Sequence, residues 1–136
     1  MGTYSGSGEL TRHDCLVKLA SGRFGRIAVS LQSLPTILPV AYAMDDDEIV
    51  VTTTARPPVL SAVYNNVVTF QVDDAEGRSG DRWSVMVTGI ARPFLPFVPA
   101  KADWSSPPVA LRARIPVTLM QGIRLVGGHL DPIPSD

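Results

Sequence analysis

Cys15, His13, His129, the acidic run Asp45–Glu48, the pair Asp73 and Asp74, and the threonine run Thr52–Thr54 with Arg56 close behind are the groups able to do chemistry here. A nucleophilic thiol must ionise, and along the chain Cys15 has only Arg12 and His13 as cationic neighbours, so it reads as a buried structural thiol. His13 and His129 stand far apart and neither keeps metal-ligand spacing with other donors, so no metal is assigned. Asp45–Glu48 would hold calcium weakly and reads as a solvated hairpin tip, while Asp73 and Asp74 begin a turn. Taken alone, Thr52, Thr53 and Thr54 are β-branched strand residues facing water, and Arg56 is a solvated loop charge. Trp83 by itself fills a core, and Arg82 beside it is a surface charge. No nucleophile, base and acid stand at a readable spacing, so the catalytic residues are unassigned.

The elements that must carry these groups are mostly strands. Gly25 to Thr54 reads as a three-strand meander: Ile27, Val29 and Leu31 share one face, Ile37 leads a mostly apolar second strand, and Ile49 and Val51 share a face of the third. Gln32 to Pro35 is a short turn and Met44 to Glu48 an acidic tip. Before the meander, Thr11 can cap a helix, with Asp14 closing a capping box, and the helix runs to about Ser21 and ends at Gly22. Cys15, Leu16 and Leu19 share one side of it, which suits a plug over an open end or edge of the sheet. After the meander, 55–66 reads as a short helix with Pro58 at its first turn and Asn65 and Asn66 at a left-handed exit.

A fourth strand, Val67 to Val72, buries Val68, Phe70 and Val72. A polar tip over 73–81 leads to a long strand from Trp83 to Arg92, with Gly89 marking a bulge, a bend or a close neighbour. Pro93 to Pro108 holds five of the twelve prolines and is an extended crossing. A last strand, Leu111 to Val117, continues loosely to Val126. Six such segments joined mostly by short polar turns favour a closed antiparallel barrel, which removes exposed edges.

Composition sets outer limits. The chain has 136 residues, of which 45% are hydrophobic, enough for one core. The expected divisions are an N-terminal arm over 1–9, a barrel domain over 10–126 and a tail over 127–136. A formal net charge of −1 and no basic run argue against a nucleic acid or an anionic membrane as partner. Apolar runs fall far short of the roughly 20 residues that cross a bilayer. A single cysteine and no basic-then-apolar leader point to the cytoplasm.

The segments GRIAVS, LPTILPVAY, IVVTT, VTFQVDD, WSVMVTGIA and RIPVTLMQGIRL occur in an order and spacing similar to the pyridoxamine 5′-phosphate oxidase-like proteins. The resemblance covers roughly Leu10 to Val126. It implies an FMN-binding split β-barrel: mainly β, six-stranded and antiparallel, with a short N-terminal helix and a short helix after the third strand. It also implies a homodimer with cofactor grooves between subunits, a small-molecule substrate and flavin-dependent oxidoreductase activity, in which the cofactor carries the hydride chemistry.

In FMN-binding relatives the phosphate is held by an Arg on the third strand, by Ser or Thr after it, and by a Lys or Arg opening the next helix, since a dianion needs charge-assisted hydrogen bonds. Carried over, these positions fall at Thr52, at Thr53 and Thr54, and near Pro58 or Val59. Pro39, Val40 and Ala41 would run past the isoalloxazine ring, Trp83 would line the groove, and Arg82 would come from the partner subunit. The chain departs from the pattern where charge matters most. Arg56 is the nearby cation that remains, and Pro57 and Pro58 remove two amide donors from the helix start. Losing one charged contact costs about 1.5–3 kcal/mol, or one to two decades in affinity. Three readings therefore stand side by side: an FMN, other flavin or deazaflavin oxidoreductase; a non-catalytic ligand-binding protein on the same barrel; and a dimeric scaffold without a cofactor.

Overall fold

The structure is a computed structural model, and it describes residues 7–74, 82–94 and 103–125. Most of the expected arm, most of the tip over 73–81, the middle of the proline-rich crossing, His129 and the tail lie outside the described residues.

Ten elements follow one another: β1 (Ser7–Glu9), α1 (Arg12–Ser21), β2 (Phe24–Leu31), β3 (Leu34–Asp45), β4 (Glu48–Ala55), α2 (Pro57–Val63), β5 (Asn66–Asp73), β6 (Arg82–Pro93), β7 (Val109–Pro116) and β8 (Leu119–Leu125). All strand pairs are antiparallel, and β2, β3, β4, β7, β6 and β5 close a six-stranded ring. Outside the ring β8 pairs with β6, and the short β1 adds to β8. The six-stranded antiparallel barrel with its two short helices is thus the architecture expected from the strand pattern.

The local chemistry of the sequence explains the joints. Gln32 and Ser33 both take positive φ, which a two-residue hairpin turn matching strand twist demands. Thr11 accepts a hydrogen bond from the Asp14 amide at 3.1 Å and caps α1. Asn65 makes the left-handed exit after α2 with φ of 63°. The last expected strand proves to be β7 followed by β8, and both run against β6. Across Val117–Thr118 the register shifts by one residue, with the extra residue on the β7–β8 side. Gly89 sits beside that shift, where a Cβ would lie 3.4 Å from the Pro116 carbonyl oxygen.

The barrel interior is filled from every strand: Ile27, Val40, Ile49, Val51, Phe70, Val85, Val87, Leu111 and Ile115 are all buried. α1 lays Cys15 and Leu19 against this core, with Leu16 partly buried beside them. Its C-terminal end is pinned by the Tyr42 hydroxyl, which donates to the Leu19 carbonyl at 2.7 Å. α2 buries Val59, Leu60 and Val63 and packs on β2 and β5. Among the described residues no helix is long and apolar enough to cross a membrane.

Candidate functional site: a groove where the barrel splits

Strand alternation decides which side chains can meet a ligand. On β4, Ile49, Val51 and Ala55 are buried and Thr53 half-buried, so Thr52 and Thr54 project outward and are exposed. On β3 the same alternation turns Pro39 and Ala41 outward, while Val40 points into the core.

The two strands stay paired from Asp45 opposite Glu48 to Ala41 opposite Thr52. From there β3 continues beside β2 as far as Leu34, and β4 continues beside β7 as far as Ala55 opposite Val109. The barrel wall therefore parts between Pro39–Ala41 and Thr52–Thr54. A groove of about 520 Å3 lies at this split, lined by Phe24, Gly25, Pro39, Val40, Ala41, Thr52, Thr53, Thr54 and Ala110. Its walls combine an aromatic ring, a proline and small apolar groups at one lip with the Thr52 and Thr54 hydroxyls and the Thr53 backbone at the other. Where ladders diverge, backbone amides and carbonyls face the gap and can serve a flat heterocycle with donors and acceptors.

Six of the nine sequence-predicted site residues, Pro39, Val40, Ala41, Thr52, Thr53 and Thr54, are brought together in this one groove. The other three are placed elsewhere in the subunit. Arg56 caps α2 and its Nη1 donates to the carbonyls of Ser106 at 2.9 Å and Trp104 at 3.2 Å. It therefore ties the segment before β7 to the end of β4. Asp103 in that segment is held below the ordinary carboxylate range, chiefly by the Ser105 backbone amide. Arg82 and Trp83 open β6 away from the groove lining; Trp83 packs against the core with Lys18 Nζ 5.5 Å from its ring centroid.

Three neighbours of the threonines escaped the sequence reading. Phe24, exposed by 74%, flanks Ala41 across the β2–β3 ladder. Ala110 stands opposite Thr54 and Arg112 opposite Thr52 across the β4–β7 ladder. The alternation of β7 signals which of its residues face outward, but nothing local signals that β4 is its partner.

Cys15 and Tyr42 are structural groups of the core. Burial, then the Asp14 charge, pushes the Cys15 thiol up. Burial likewise pushes the Tyr42 hydroxyl up. Among the described residues no three His, Cys, Asp or Glu side chains converge.

Comparisons with known proteins agree with this architecture. The family model for pyridoxamine 5′-phosphate oxidase matches residues 11–96. An uncharacterized protein of Mycobacterium tuberculosis is 34% identical over 88 residues, or 61% of this chain and 58% of that protein, so the match spans less than two thirds of the relative's length. An FAD binding protein from Mycobacterium smegmatis superposes with a TM-score of 0.64 at 25% identity, over 87% of this chain and 97% of that one. An FAD-binding protein from Mesorhizobium loti superposes with a TM-score of 0.65 over the same shares; at 22% identity it speaks for the fold alone.

Proposed function

This chain belongs to the pyridoxamine 5′-phosphate oxidase family, and we propose that it binds a flavin nucleotide in the groove at the β3–β4 split and acts as a flavin-dependent oxidoreductase. The observation that carries the reading is the parting of the ladder after Ala41 and Thr52, which opens an apolar lip facing a row of hydroxyls. A flat, largely apolar ring with a polyol and a phosphate needs that pairing of surfaces. The FAD-binding name of the Mycobacterium smegmatis neighbour supports a flavin as the ligand.

The chain's own residues have separate tasks in this reading. Phe24, Pro39 and Ala41 bind the ring and exclude water from it, and the backbone edges along Val40 and Thr53 orient it. Thr52 and Thr54 donate hydroxyl hydrogen bonds to the polar end. A bound flavin supplies the hydride or electron chemistry, and the protein contributes binding, orientation and shielding.

A homodimer is part of the proposal. The outer row Ile37, Ala28, Thr69, Thr88 and Leu119 lies straight across five strands and carries no charge. Ile37 and Leu119 are each 67% exposed, and the Thr69 and Thr88 hydroxyls satisfy one another at 2.9 Å. Such a face suits a second copy. Arg82 and Trp83 would then reach the groove from the partner subunit. A cytoplasmic setting completes the reading.

Protein purified without added cofactor, its visible spectrum, and titration with FMN and FAD test the reading. Yellow protein, or saturable quenching of flavin fluorescence at micromolar protein, is expected; no bound flavin and no quenching would overturn it.

A second reading, a non-catalytic binding protein on the same barrel, has one observation in its favour. Arg56 is committed to backbone carbonyls and α2 begins with two prolines, so the usual phosphate anchor is weak. Flavin that binds but is not reduced by any nicotinamide or small-molecule donor is its expected signature.

A further inference from the structure

Resting on the flavin reading above, we propose that Arg112 on β7, and not Arg56 beside α2, is the cation that receives the phosphate of the bound flavin. The β4–β7 register sets Thr52 opposite Arg112 and Thr54 opposite Ala110. Residues directly opposite in an antiparallel pair share a face, with Cβ atoms about 4.5–5.5 Å apart. Two hydroxyls and a guanidinium therefore border one outward shelf. Its fourth corner, Ala110, is a methyl group that leaves the shelf open to a ligand.

Three other arginines of this region, Arg114, Arg56 and Arg26, are engaged. Arg114 is held by Asp45 at 2.9 Å and Glu48 at 3.1 Å, which also raise its already high pKa. Arg56 is spent on the Trp104 and Ser106 carbonyls. Arg26 donates to Gln71 and lies 3.9 Å from Asp73.

Arg112 differs from all three. Its guanidinium sits 4.6 Å from the centroid of the Phe94 ring, which Arg114 also approaches at 4.3 Å, but unlike Arg114 it is engaged by no carboxylate of the described residues. Stacking occupies the flat face of a guanidinium and leaves its in-plane N–H donors available, the geometry that grips two oxygens of one phosphate. Its backbone is fixed as well, since the Arg112 amide donates to the Tyr64 hydroxyl at 3.1 Å. The alternative anchor, the start of α2, lacks the amides of Pro57 and Pro58 and belongs to a helix of only seven residues.

The test compares wild type, Arg112→Gln, Arg112→Lys and Arg56→Gln in titrations with FMN, FAD and riboflavin at one salt concentration. Riboflavin has the ring and polyol but no phosphate. Arg112→Gln is expected to weaken FMN and FAD on the order of ten- to a hundredfold and to leave riboflavin unchanged. Arg112→Lys, which keeps the charge but not the fork, falls between, and Arg56→Gln stays close to wild type. The proposal is overturned if Arg112→Gln binds FMN and FAD as wild type does, if it loses riboflavin equally, or if Arg56→Gln carries the loss. Wild type that binds riboflavin as tightly as FMN also overturns it while leaving the flavin reading intact. Wild type that binds none of the three rejects the flavin reading itself, and this assignment with it.

Discussion

Ala41 and Thr52 face each other across the last rung of the β3–β4 ladder, and beyond that pair the two strands follow different partners. A side chain enlarged at this rung stands over the mouth of the groove without entering the core, because Ala41 projects outward. Ala41→Trp is therefore expected to abolish flavin quenching while leaving stability within about 0.5 kcal/mol, as surface substitutions do. Urea unfolding run beside the flavin titration checks both halves, and unchanged flavin affinity would remove the groove from the account.

The threonine hydroxyls can be tested without changing shape. Thr52→Val and Thr54→Val each delete one donor from an exposed strand position where β-branched residues are favoured. Each should weaken FMN by roughly 1 kcal/mol, about fivefold, with no loss of stability. Thermal melts and FMN titrations of the pair separate the two effects.

Gly22 and Tyr42 form a coupled joint. A Cβ at Gly22 would lie 2.2 Å from the Tyr42 hydroxyl oxygen, so Gly22→Ala forces that ring off the Leu19 carbonyl and costs about 1–3 kcal/mol. Tyr42→Phe removes the shorter of that carbonyl's two hydrogen bonds and leaves it the Gly22 amide at 3.4 Å, at about 0.5–1.5 kcal/mol. Once the hydroxyl is gone the nearest ring atom is 3.1 Å away, so the two losses should add to less than their sum in a double-mutant cycle. Full additivity would contradict the joint.

Much of this barrel was readable from pattern because alternation is local. The meander, the Thr11 cap, the Asn65 exit and the buried triplet Val68, Phe70 and Val72 need only a few neighbouring residues each. The pairing of β4 with β7 joins segments some sixty residues apart, and no local signal announces it. That is why Arg112 and Ala110 went unseen beside Thr52 and Thr54, and why Arg56 read as a solvated charge although the carbonyls of Trp104 and Ser106 hold it. Phe24 was missed because a single outward aromatic at a strand start looks like ordinary surface until the split beside it is seen.

Alkaline stability should report on α1. Folding raises the Cys15 thiol above its ordinary 9.0 and the Tyr42 hydroxyl above its ordinary 10.0, both chiefly through burial. The folded chain then binds more protons than the unfolded one on the alkaline side, so stability is full below pH 9 and falls as pH rises through and beyond these ordinary values. Melting temperatures of wild type and Cys15→Ala between neutral pH and pH 10 should show a shallower alkaline decline in the variant. Equal slopes would contradict the assignment.

Sedimentation of wild type should give about twice 14.6 kDa, and Ile37→Lys, which sets a charge at one end of the neutral outer row, should shift it toward the monomer. A wild-type monomer at micromolar concentration would contradict the proposed dimer and the contribution of Arg82 and Trp83 from a second subunit.

Amide NMR of the labelled protein titrated with FMN shows residue by residue whether the parted strands hold a flavin. Saturable shifts clustered at Val40, Ala41, Thr52, Thr53, Thr54, Ala110 and Arg112 are expected, with Arg56 little changed. Shifts gathered on another face, or none at saturating flavin, would contradict a flavin held there.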